Sequence, residues 1–153
     1  MAKKDLILTC AIARSTSILG DKWSLLILRD MLFHHKTRFK EFIDSKEKIA
    51  TNILTNRIKS LIDAGLIKLL DPKSTKKNRQ YVATEKGIST LPIIIELYLF
   101  SIKDINESVL SDKQLNIKKE ILDNRDYFIS SKRIKYLAFK ESLLNKVRDT
   151  ISC

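Results

Sequence analysis

The stretch from Ile49 to Gly87 constrains this chain more than any other. In its first part Leu54, Ile58 and Leu61 recur at i, i+4 and i+7, the spacing of one face of a helix. Asn52, Asn56 and Lys59 repeat that spacing on the opposite side of the wheel, so one face can pack while the other meets a partner. Gly65 then ends the helix in the left-handed conformation that glycine adopts at little cost. Leu66 to Leu70 is apolar enough for a strand, Asp71 and Pro72 turn the chain, and Gln80, Tyr81 and Val82 form the return strand. Between them, the seven residues Lys73 to Arg79 carry four positive charges and no acid. Such a loop is too polar to bury and well suited to lie along a phosphate backbone. Helix, glycine turn, strand, basic loop, strand and new helix is the order of a winged helix-turn-helix.

Size and charge set the frame. A chain of 153 residues can bury one sizeable core, and no composition shift marks a second domain. The net charge of +11 is spread almost evenly, +4 over residues 1–50, +4 over 51–100 and +3 over 101–153. The total therefore points to a polyanion only weakly, and the local run in the wing is the better evidence. No segment approaches the roughly 18 to 20 uninterrupted apolar residues that span a bilayer; Leu91 to Phe100 is broken by Pro92 and Glu96. The N-terminus lacks an apolar core followed by a small-residue cleavage site, so a cytoplasmic location is expected. Cys10 and Cys153 are too few for a disulfide framework or a zinc site. There is no Gly-rich phosphate loop, no metal-ligand spacing and no assembled nucleophile and base. The expectation is a non-enzyme with no cofactor, no metal and no membrane partner. His34 and His35, adjacent in sequence, point about 100° apart on a helix and are expected exposed at a helix end.

Along the rest of the chain, residues 6–19 are helix-compatible, with Cys10 and Ala13 on one side and Gly20-Asp21 as punctuation. Trp23 to Phe33, interrupted only by Ser24, Arg29 and Asp30, predicts a helix buried on more than one side, with Trp23 a core anchor. A short helix from Arg38 to Ile43 and a polar loop from Asp44 to Lys48 follow. After the wing, Thr84 is expected to cap one helix running through Leu99 and bent at Pro92. Two further amphipathic helices are predicted, Leu115 to Ile129 and Ser131 to Ile151. The fold class is thus mainly α with a small β-hairpin wing.

These residues resemble the HxlR-type family of bacterial winged helix-turn-helix transcriptional regulators. The resemblance runs in order through Cys10; Ile18 to Trp23 with Leu26 to Asp30; Arg38 to Phe42; Ile49, Leu54 to Ile58 and Ala64 to Ile67; Tyr81, Thr84, Glu85 and Gly87; and Leu91-Pro92. It implies a homodimer, formed through the N-terminal helix and the long helix after the wing, that binds a palindromic operator and controls a neighbouring gene, most simply as a repressor. Domain bounds of 1–105 for the DNA-binding unit with its flanking dimerisation helices, and 106–153 for a C-terminal helical extension, follow from its extent. The chain departs from the family pattern at Ala11, Asp21 and Gln80, and has Tyr98 or Phe100 where a late tryptophan is expected. Ala50 replaces a serine that opens the recognition helix, which leaves Thr51 as the candidate cap.

In this geometry the recognition helix enters the major groove, where Asn pairs with adenine and Thr with a thymine methyl or a base edge. Asn52, Thr55 and Asn56 are the base-reading candidates, with Thr51 at the helix start. Arg57 and Lys59 are phosphate-holding candidates, as are Lys73, Lys76, Lys77 and Arg79 in the wing. Asp63, on the same stripe, is tolerable only if the end of the helix tilts away from the duplex. Cys10 is the candidate redox or electrophile sensor, with Arg14 one turn away; the alternative is a small buried helix residue. An unidentified small-molecule effector is compatible with this scheme. The C-terminal stripe from Ile134 to Ile151 reads as an added helical layer, a dimer contact or a cover over an effector pocket. The competing function is a winged-helix protein-interaction module without DNA, since a fold does not fix a function; four wing cations without acids weigh against it.

Overall fold

The structure, a computed structural model, describes residues 9–152. Helix α1 spans Ala11–Leu19, α2 Lys22–His34, α3 Phe39–Ile43 and α4 Thr51–Asp63. The hairpin is β1, Ile67–Leu69, and β2, Tyr81–Ala83, with a 3-10 turn at Lys76–Asn78 between them. Helices α5, Glu85–Ile88, α6, Leu91–Ile102, α7, Asp112–Asp123, and α8, Arg125–Ile151, complete the chain. Among the described residues no helix is long and apolar enough to cross a membrane.

Helix α2 is the spine. Asp21 starts it: its Oδ1 accepts from the Trp23 and Ser24 amides at 3.0 and 2.9 Å. It ends where His35 turns left-handed at φ 54°. Ile27, Leu28 and Met31 pack against Leu54, Ile58 and Leu61 of α4 and against Leu66 and Ile67, with Trp23 partly buried at the margin. Leu32 faces a second cluster with Ala83, Ile88, Leu91 and Tyr136. Both faces of α2 are therefore used, as its nearly unbroken apolar run requires. The buried Asp30 carboxylate accepts from Arg29 at 2.7 and 2.9 Å and from Lys36 at 2.7 Å, and Arg29 also grips Glu47 through two bonds.

At the end of α4, Gly65 has φ +73°, the Leu66 amide donates to Leu61 O at 2.9 Å, and the Gly65 amide to Ile62 O at 2.9 Å. This is a Schellman closure, and it delivers the chain into β1. The strands pair antiparallel, Ile67 opposite Ala83, Lys68 opposite Val82 and Leu69 opposite Tyr81. Gly87 is required by contact: a Cβ there would lie 2.0 Å from the Leu66 carbonyl oxygen.

The outer edge of β2 is covered. The Tyr81 amide donates to Thr37 O at 2.8 Å, the Ala83 amide to the Tyr136 hydroxyl at 2.8 Å, and Lys140 Nζ to Ala83 O at 2.7 Å. Tyr136 and Lys140 both belong to α8, whose 27 residues give it a length of about 40 Å. Its lower part thus packs into the core of the winged domain.

Four expectations are corrected. The helix after the wing is two helices: Thr84 caps only α5, accepting from the Gly87 amide at 3.2 Å, and Pro92 stands in the first turn of α6. A proline there loses no helical bond, so it begins a helix instead of bending one. The break between the last two helices falls at Asn124, whose Oδ1 caps α8 through the Tyr127 amide at 3.0 Å. Cys10 is extended, at φ −91° and ψ 111°, and caps α1 instead of lying within a helix. His35 is half-buried: it stacks on Phe139 at 4.4 Å between ring centroids. Burial and the nearby Lys132 hold its imidazole below the ordinary histidine range. Residues 6–8 of the predicted first helix, and Cys153, lie outside the described residues.

Candidate nucleic-acid interface

Helix α4 has the two faces its spacing predicts. Leu54, Ile58 and Leu61 are buried. Thr51, Asn52, Thr55, Asn56 and Lys59 are exposed. The Thr55 hydroxyl donates to Thr51 O at 2.9 Å, which fixes χ1 and with it the position of the methyl. The Asn52 and Asn56 amides carry both a donor and an acceptor, the pair needed for a bidentate contact to adenine.

The opening of α4 differs from the expectation that Thr51 caps it. Ala50 occupies the cap position and no side chain accepts from the first amides. Thr51 is already helical, so its hydroxyl is past the point from which it can accept those bonds. The positive end of the helix is therefore offered to the surface that carries Asn52 and Thr55.

Arg57 is half-buried, and its guanidinium lies 3.4 Å from Asp21 Oδ2. Burial raises the Asp21 carboxyl pKa, but hydrogen bonds from Ser24 and the Arg57 charge outweigh it and leave the carboxyl below its ordinary value. Arg57 thus links the open face of α4 to the start of α2. Lys59, two residues on, has no ion-pair partner among the described residues.

The wing is set by Asp71, whose Oδ1 accepts from the Lys73 amide at 2.9 Å while its carbonyl accepts from the Ser74 hydroxyl at 2.7 Å. Lys73, Lys76 and Lys77 are exposed, and none forms an ion pair among the described residues. Arg79 is placed differently: it is half-buried at the base of the wing, and its Nε is buried without a hydrogen-bond partner. A residue missed by sequence reasoning is Arg38, whose guanidinium reaches Asn78 O at 3.5 Å and ties the start of α3 to the wing. The signal was local: Glu41 Oε2 accepts from the Thr37 and Arg38 amides, both at 2.8 Å, a capping arrangement readable from the spacing.

The arrangement presents an open polar helix beside a cationic loop. Among the described residues no cluster of three or more His, Cys, Asp or Glu could hold a metal. Cys10 is exposed at the start of α1, and its Sγ accepts from the Ala13 amide at 3.5 Å.

Comparison with known proteins agrees with this geometry. An HTH-type transcriptional regulator of Halalkalibacterium halodurans is 29% identical over 90 residues, 59% of this chain and 80% of that protein. The crystal structure of PA1607, described as a transcription factor, superposes with a TM-score of 0.60 at 29% identity, covering 71% of this chain and 75% of its own. A MarR-family regulator from Porphyromonas gingivalis W83 gives 0.53 at 29% identity, over 63% of this chain and 94% of its own. Residues 18–109 match the HxlR-like helix-turn-helix family. That match, covering α2 through α6 and the wing, places this chain in the HxlR-like family of transcriptional regulators.

Proposed function

We propose that the protein binds a palindromic DNA operator as a homodimer and represses a neighbouring gene. The observation that carries this reading is the exposed stripe of Asn52, Thr55, Asn56 and Lys59 beside wing lysines that no acid among the described residues neutralises. Asn52, Thr55 and Asn56, with Thr51 at the opening, read bases; Lys59, Lys73, Lys76 and Lys77 hold phosphates, and Arg57 and Arg79 steady the surface from its edges. Ile93, Leu97 and Phe100 supply the dimer contact. They lie on one stripe of α6 and are 42%, 46% and 73% exposed, an apolar face with no partner among the described residues. Ile12 on α1 is 76% exposed and offers a second apolar contact. Two recognition helices related by this contact address half-sites about one helical turn apart. Cys10, exposed beside the same N-terminal element, is the point at which an oxidant or electrophile acts on dimer geometry.

The experiment is fluorescence anisotropy on the DNA upstream of the chain's own gene and on a shuffled duplex, across about 50 to 300 mM salt. Tight binding that prefers the native duplex and weakens steeply with salt supports the reading. Equal binding to both duplexes at every salt concentration overturns it for that operator and favours a protein-interaction module.

A further inference from the structure

A cavity of about 710 Å³ opens between α2, α6, α7 and α8, away from the stripe on α4. Its volume lies in the range of small-molecule sites. Ile95, Ile121 and Phe128 are buried together at its base, with Phe33 stacked on Phe128 at 6.5 Å between ring centroids. An apolar, aromatic-bearing base of this kind suits an apolar body.

The charged groups at the lining are of one sign. Arg29, Lys113 and Lys132 contribute to it, and among the described residues no Asp or Glu does. Arg29 is already neutralised by Asp30 and Glu47. Lys113 and Lys132 have no ion-pair partner among the described residues. Lys132 lies over the Phe128 ring at 5.1 Å, so its ammonium is held at the apolar base of the cavity and not in open solvent. Burial and the charges of Lys135 and Lys113 push its pKa down against the pull of Glu120. His34, also in the lining, is pushed down by burial and is not a further cation at neutral pH. Two unmatched ammonium groups beside an aromatic floor are what a carboxylate on an apolar body would complete.

We infer that this cavity is a binding site for an amphipathic organic anion, an aryl or short alkyl carboxylate whose body lies on Ile121 and Phe128 and whose charge meets Lys113 and Lys132. Two of the four helices that line it, α7 and α8, lie beyond residues 18–109. The C-terminal extension thus completes the site, which gives that extension a task. The inference does not depend on what α4 contacts.

The test uses the full chain and two probes of nearly equal shape, 2-naphthoate and the uncharged 2-naphthamide, followed by calorimetry and by methyl NMR of isoleucine-labelled protein. The expected result is saturable binding of the naphthoate, about tenfold tighter than the amide, with shifts at Ile95, Ile117 and Ile121. The double variant K113Q/K132Q, altered only at the two ammonium groups, should lose that preference while keeping its unfolding midpoint and its affinity for the amide. Absence of saturable binding up to about 1 mM, equal binding of the two probes, an unchanged preference in K113Q/K132Q, or shifts confined to Ile12 and Ile93 on the exposed dimer face would each overturn the inference.

Discussion

The Tyr136 hydroxyl accepts the backbone N–H of Ala83 at 2.8 Å, joining the middle of α8 to the return strand of the wing across 53 residues of sequence. Tyr136 is 1% exposed, and burial pushes its phenol up to about 12, so it remains a neutral partner at any working pH. Tyr136→Phe removes the acceptor and leaves a buried amide unsatisfied. The expected cost is about 1 to 3 kcal/mol, read as a lower urea midpoint with an unchanged slope. An unchanged midpoint would mean that water replaces the hydroxyl.

Within the proposed interface, base readers and phosphate holders should separate in the same assay. Asn52→Ala and Asn56→Ala should each cost about 1 to 3 kcal/mol on the native duplex and little on a shuffled one. Lys73→Ala, Lys76→Ala and Lys77→Ala should weaken both duplexes alike and each lower the salt slope by about one. Lysine variants that change preference without changing the slope would contradict this division.

The apolar stripe on α6 gives a prediction about assembly. Leu97→Glu or Phe100→Glu puts a charge on the face proposed to meet a second copy, while the monomer's own core, built on Leu91, Ile95 and Ile102, is untouched. Light scattering should report a monomer with native circular dichroism. A dimer that survives both substitutions would place the contact elsewhere.

Glu47 links stability to pH. The hydrogen bonds from Arg29 hold its carboxyl at about 2, against an ordinary value of 4.5. A carboxylate with a lowered folded pKa stabilises the fold above its unfolded value, and that contribution disappears as pH falls from about 4.5 towards 2. The pair is partly exposed, so solvent screening limits it to less than about 1 kcal/mol. Glu47→Gln should flatten that part of the stability profile and leave the profile above pH 6, roughly, parallel to the parent. A slope in the acid range that is identical in both proteins would assign it to other carboxylates.

Cys10 can be tested directly, because its thiol is exposed. Operator binding should change when the parent is treated with diamide, and a Cys10→Ser chain should bind alike before and after treatment. Identical behaviour of parent and variant would remove the sensing role and leave Cys10 as a helix cap.

Local physics was readable from sequence, and long-range packing was not. The faces of α4, the left-handed Gly65 and the turn at Asp71-Pro72 depend on neighbours within a few residues, and each was found where the spacing put it. Pro92 was misplaced because apolar residues continue on both sides of it, and periodicity does not distinguish a bend from a fresh start. Asn124, followed by Asp126, carried a helix-start signature, but the Ser130-Ser131 pair offered a competing break six residues on. The half-burial of Arg79 and the docking of Tyr136 on Ala83 leave no periodic trace, since each rests on chain brought close only by the fold.

The closed edge of β2 limits how copies of this protein can meet. With the outward Tyr81 and Ala83 amides and the Ala83 carbonyl already engaged by Thr37, Tyr136 and Lys140, no second strand can add there. Self-association through that edge is shut at Ala83 by the chain's own C-terminal helix and at Tyr81 by Thr37, so the hairpin is anchored to the core along its outer strand, and losing α8 would uncover the Ala83 end of that edge.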